Sequence, residues 1–92
     1  AIQHRRPDAL PVYHSYLLTI KAMTSGQGNR YDEAIIRLNE AIEYDKNNSL
    51  AFLERGRILL ATGKNNKAIT DLKRALSLGE DEARGLLNTI NN

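Results

Sequence analysis

The chain has no cysteine and no tryptophan, and among its 92 residues are only two prolines, one phenylalanine and one methionine. Without cysteine there is no disulfide, no thiolate metal site and no thiol nucleophile. That absence fits any compartment, and the cytoplasm is the expected one. No apolar run approaches the roughly 20 residues that span a bilayer, so direct membrane insertion is not expected. The opening Ala-Ile-Gln-His-Arg-Arg-Pro lacks the apolar stretch of a secretory signal, and a start at alanine suits a processed product or a piece of something longer. A net charge of +2 is too small for a nucleic-acid footprint, which needs a large basic excess interleaved with aromatics. The charge is uneven, however. Arg5, Arg6, Lys21 and Arg30 face only Asp8 in residues 1–30, whereas residues 31–48 hold Asp32, Glu33, Glu40, Glu43 and Asp45 against Arg37 and Lys46. Most of these positions fall on outward helical faces, where charge is solvated.

The sequence does contain a repeat. Ala34, Ile35, Leu38, Ala41, Ile42 and Tyr44 match Ala68, Ile69, Leu72, Ala75, Leu76 and Leu78, each pair 34 residues apart. Small residues at both ends of such a stripe let a neighbouring helix approach, and the larger one between fills the gap. Ahead of the second copy, Phe52, Arg55, Gly56, Leu59 and Gly63 mark a partner helix. Self-similarity at this period defines stacked helical hairpins, none of which can bury its apolar face alone.

These residues make the chain resemble the tetratricopeptide repeat family. Ser49 to Glu82 follows the family pattern through Phe52, Gly56, Leu59, Gly63, Ala68, Leu72 and Ala75. It departs at Arg55, where a large aliphatic is usual and where an arginine stem can lie on apolar surface with its head in water. It departs again at Glu80, often a proline. The earlier unit matches from Tyr31 to Asn48, so the likeness runs over about three quarters of the chain. Its first helix lacks the small-residue signature. Aligning Gly26 with Gly63 makes the connection Ser25 to Arg30 about three residues longer than its counterpart.

The fold expected is an all-α, right-handed helical-hairpin solenoid of five helices in one domain. Residues 1–10 form a flexible N-terminal segment, 11–48 a first repeat, 49–82 a second, and 80–92 a capping helix. The first helix runs from about Pro11, tolerated in a first turn, to Met23 or Thr24, where Gly26 and Gly28 break it. The others span about Tyr31 to Asp45, Ser49 to Thr62 and Asn65 to Leu78, with Gly63 and Gly79 as left-handed terminators, and a last one starts at Glu80 to Glu82 and reaches Ile90. Two repeats and a cap fall at or below the roughly three units such arrays need. The first helix is apolar on more than one face, through Val12, Tyr13, Tyr16, Leu17, Leu18, Ile20, Ala22 and Met23. It therefore awaits a cover from upstream residues, a second copy of the chain, or a ligand.

In the family the first helix of each hairpin lines a concave surface that receives a peptide. The resemblance assigns that role here to Leu50, Leu53, Glu54, Arg57, Leu60 and Ala61. With Gly26 in the place of Gly63 it assigns it also to Tyr13, Tyr16, Leu17, Ile20, Met23 and Thr24, and Arg84 enters from the cap. Apolar walls with few polar groups suit an amphipathic helix or extended apolar peptide, so the expected function is a protein interaction module. The competing expectations are a homodimer through the first helix and a segment of a longer scaffold. The family's co-chaperone subset grips acidic chaperone tails with lysines, asparagines and an arginine; here Glu54 and Asn88 replace an asparagine and the arginine, and only Arg84 matches, in place of a lysine. A carboxylate in mid-groove would repel an acidic tail. Catalysis is not expected, because His4 and His14 have no oriented partner, no pocket and no third metal-ligand spacing. Gly26, Gly28 and Gly56 lie in no phosphate loop, so no cofactor is expected either.

Overall fold

A computed structural model describes residues 9–27 and 30–91. Five α-helices follow one another: α1 Ala9–Gln27, α2 Tyr31–Tyr44, α3 Ser49–Ala61, α4 Asn65–Ser77 and α5 Glu82–Asn91. α1 pairs with α2 and α3 with α4, while α5 packs on α4 and closes the stack. The radius of gyration is 14.0 Å, against roughly 12 Å for a globule of this length. An array that grows along one axis accounts for the excess.

α2 and α4 bury the same positions. Ala34, Leu38 and Ala41 are fully buried in one, and Ala68, Leu72 and Ala75 in the other. Spacings of four and three residues put each set on one helical face. Two cores result. The first joins Leu18 and Ala22 of α1 to the α2 set and to Ala51 and Ile58 of α3. The second joins Leu53 of α3 to the α4 set and Ala83 of α5, with Leu86, Leu87 and Ile90 packed around it. α3 thus has a core on each side.

α3 and α4 end alike. Gly63 and Gly79 have φ of +80° and +107°, and the amide after each, Lys64 and Glu80, donates back to Leu59 and Ala75 at 2.8 and 2.9 Å. These are the expected left-handed terminators, each closing two orphan carbonyls. α1 departs from expectation. It continues through Gly26 to Gln27, and Ala9 and Leu10, assigned to a flexible segment, begin it; residues 1–8 and Gly28 lie outside the described residues. The 34-residue frame explains its end, since Gln27 corresponds to Ala61 and Tyr31 to Asn65. Both connections are therefore three residues long, and the expected longer loop is absent. Packing of Leu18 and Ala22 on α2 outweighs the cost of about 1 kcal/mol for glycine in a helix. In this frame Ala22, fully buried, stands where Gly56 stands in the second hairpin. The small residue of the first helix is present as alanine.

A buried polar junction ties α1 to the start of α3. Asn48 caps α3 by accepting from the Ala51 amide at 3.0 Å, and its Nδ2 donates to Ser15 Oγ at 2.8 Å and Thr19 Oγ1 at 3.0 Å. Both hydroxyls are fully buried and themselves donate to backbone carbonyls, Ser15 to Ala41 and Thr19 to Ser15. Every hydrogen-bonding group of the Asn48 amide is used. The second hairpin repeats the device more simply, with Ser49 Oγ donating to Glu80 at 2.8 Å. Asn48→Ala should lower the unfolding free energy by about 2 kcal/mol, from the lost cap and the buried acceptors left without a donor. Asn48→Asp should cost nearly as much, because it keeps the cap but turns oxygen toward the two hydroxyls. Urea unfolding of both variants measures this.

Candidate functional site

α3 turns its two-sided packing to use on a third face. Glu54, Arg57, Leu60 and Ala61 line an open cleft of about 450 Å³ together with Ala22 and Met23 of α1, Tyr31 of α2, Ile58 and, from the cap helix, Leu86. Arg57 is the one cation among these lining residues. Its Nε lies 3.4 Å from Glu54 Oε2, and its guanidinium forms a second ion pair with Glu82 at the start of α5. That Nε is shielded from solvent and has no hydrogen-bond partner among the described residues.

Burial holds the Glu54 carboxyl above its ordinary value; Arg57 pulls it back down and Glu80 pushes it further up. A carboxyl raised in this way favours the folded state when protonated. Its contribution is fully present below about pH 4.5 and is lost as pH rises through the raised value. Glu54→Gln should accordingly stabilise the protein at neutral pH relative to the native chain and give no advantage under acid conditions. Thermal melts at pH 7 and pH 4 compare the two.

Of the residues expected in the groove, Glu54, Arg57 and Leu60 line the cleft, and Met23 and Ala61 stand with them. Leu53 does not. It is only 2% exposed and belongs to the second core, because it projects toward α4 and α5. Leu50 is half-buried against the same core, and Arg84 is exposed on α5 outside the cleft. Tyr13, Tyr16, Leu17 and Ile20 are all exposed, from 39% for Ile20 to 61% for Tyr13, and none lines the cleft. The three-residue error in aligning Gly26 moved that stripe along α1. By the 34-residue frame Met23 is the counterpart of Arg57, and Leu17 that of Ala51, the back of α3 that packs on the first hairpin. Leu17 therefore faces the N-terminal side of α1, away from α3. Tyr31 and Leu86 were not anticipated as cleft residues, nor was Glu82 as the partner of Arg57; Leu86 lies on the apolar stripe of the cap, but the pairing of Arg57 with Glu82 has no local signal.

Arg55 also departs from expectation. Its head does not reach into water but meets Asp71 of α4 in a two-pronged bond, Nε to Oδ2 at 2.7 Å and Nη2 to Oδ1 at 2.9 Å. Its third nitrogen donates to Asn39 of α2 at 2.9 Å, so one side chain pins three helices together. His14 is exposed and meets the Tyr44 ring edge-on at 4.5 Å. Among the described residues no group of three histidines or carboxylates could hold a metal ion, and no helix is long and apolar enough to cross a membrane.

Stacked helical hairpins with an open cleft along them define a helical repeat protein. The tetratricopeptide repeat model matches residues 15–48 and 50–81. The chain belongs to that family, whose repeats serve as protein-interaction modules. Two curated proteins are similar to it. It is 38% identical over 61 residues to "Protein STIP1 homolog" of Dictyostelium discoideum, a match covering 66% of this chain and 11% of that protein. It is 34% identical over 65 residues to "TPR repeat-containing thioredoxin TDX" of Arabidopsis thaliana, covering 71% of this chain and 17% of that one. The chain thus spans less than a fifth of either relative.

Proposed function

We propose that this chain is a non-catalytic interaction module that holds a peptide or partner helix in the cleft between α1, α3 and α5. The supporting observation is that apolar side chains from three helices, Met23 of α1, Ile58 and Leu60 of α3 and Leu86 of α5, line one cleft with the Glu54–Arg57 ion pair. Such a lining suits an apolar segment with one or two fixed polar contacts. The acidic-tail clamp is not part of this reading, because a carboxylate, Glu54, lines the cleft.

A random peptide library displayed on phage and panned against the protein tests the reading. Recovered peptides should lose at least roughly tenfold in affinity on Ala61→Tyr, which fills the cleft from an exposed position, and keep it on Ile36→Asp, far round on α2. Binding that survives Ala61→Tyr, or a pool that never enriches over the bare support, overturns it.

A second reading is supported by Val12, Tyr13, Tyr16, Leu17 and Ile20, all at least 39% exposed on α1. A contiguous apolar patch of this kind suits self-association. Light scattering across a concentration series decides between the two. A dimer that dissociates on dilution and is lost on Tyr16→Glu supports self-association through α1, while a monomer throughout leaves the cleft as the binding surface.

A further inference from the structure

The cleft is apolar over most of its walls but unbalanced in charge. Glu54 and Glu82 share the single guanidinium of Arg57. Glu80 stands close enough to Glu54 to disfavour its ionisation, and its own partner, the Ser49 hydroxyl at 2.8 Å, is neutral and leaves its charge intact. Two carboxylates therefore share one cation. Arg84, the one cation of the cap helix, is exposed and outside the cleft lining.

We infer that the segment held in this cleft carries a lysine or arginine set among apolar residues, with its cation placed beside Glu54 and Glu82. This rests on the groove reading above and adds the sign of the partner's charge. Glu54 has lost part of its hydration, and Arg57, divided between two carboxylates, does not fully replace it. A cation delivered by a partner supplies a further counter-charge beside Glu54, whose side chain is largely shielded, and Glu82, which stands more open to water. The aliphatic stem of a lysine or arginine packs on Met23, Leu60 and Leu86 while its head reaches the carboxylates, and Tyr31 adds an aromatic ring to the same lining. An acidic segment meets the opposite situation and is repelled.

The test reads the sequences and affinities of the peptides recovered from the displayed library. The expected result is enrichment of lysine or arginine within apolar stretches, with affinity falling roughly fivefold on Glu54→Gln and falling again as salt is raised. Glu54→Gln keeps the shape of the side chain, and its folding is checked by the melts already described. A pool with no excess of cationic residues overturns the inference. So do cationic peptides whose affinity is unchanged by Glu54→Gln although Ala61→Tyr abolishes it; in that case the groove stands and the charge assignment falls. Affinity that survives Ala61→Tyr removes the groove reading itself, and the inference with it.

Discussion

Replacing Asp71 with alanine is expected to lower the free energy of unfolding by about 3 kcal/mol, seen as a lower urea midpoint with an unchanged slope. Asp71 is only 5% exposed, and both of its oxygens are taken by Arg55. Its removal leaves the Arg55 guanidinium, on a side chain 24% exposed in the native structure, with only Asn39 as a hydrogen-bond acceptor. Partial exposure keeps the loss at the lower end for a broken buried pair. Arg55→Leu alone should also destabilise, although an aliphatic residue is usual there in the family, because it strands the carboxylate. The double change Arg55→Leu, Asp71→Leu should cost far less than either alone. If the losses instead add, the ion pair is not the coupling between these positions.

Leu72→Ala should cost about 3 to 4 kcal/mol, since a fully buried leucine at the centre of the second core leaves a cavity that rigid helices close poorly. The informative companion is Gly56→Ala. A Cβ at Gly56 would lie 2.7 Å from Leu72 Cδ2 and 2.8 Å from its Cγ, so α3 and α4 touch where no side chain fits. In the native background that clash costs about 1 to 3 kcal/mol, offset by about 1 kcal/mol of better helix propensity. In the Leu72→Ala background the obstacle is gone and only the gain remains. Gly56→Ala should therefore change sign, from destabilising to stabilising, between the two backgrounds. A double-mutant cycle in urea measures the coupling, and simple additivity would show that Gly56 is not in contact with Leu72.

The second hairpin is readable from its residues because each signal there is local. Gly63 and Gly79 terminate their helices in the expected conformation, and Ala68, Leu72 and Ala75 repeat the spacing of Ala34, Leu38 and Ala41. The first hairpin misleads because alanine performs in α1 what glycine performs in α3. Taking Gly26 as the landmark shifts the frame by three residues, turns Gly26 into a helix breaker and carries Tyr13 and Leu17 into a groove that neither lines. Anchoring on Ala34 and Ala68 alone would have placed Ala22 opposite Gly56 and Met23 opposite Arg57. Other features lie beyond any local pattern. Arg55 and Asp71 are 16 residues apart on different helices, and Asn48 reaches Ser15 across 33. Whether Arg57 meets Glu82 depends on how far each hairpin rotates on the last, which no spacing within one helix reports. Glu54 and Arg57 were legible as cleft residues because they share a hairpin already in register; Leu53, one position away, turns into the core.

α3 has a core on either side, with Ala51 and Ile58 committed to one and Leu53 to the other. Neither hairpin can complete its interior without it. α1 with α2 lacks a lid until α3 arrives, and α4 with α5 lacks a floor. Folding can start at either end, yet both routes pass through the ordering of the same helix, which belongs to both cores. The middle of this short array is thus its cooperative link: damage at one end is felt at the other by way of a helix that contacts both, and the cleft, walled by α3, opens or holds with it.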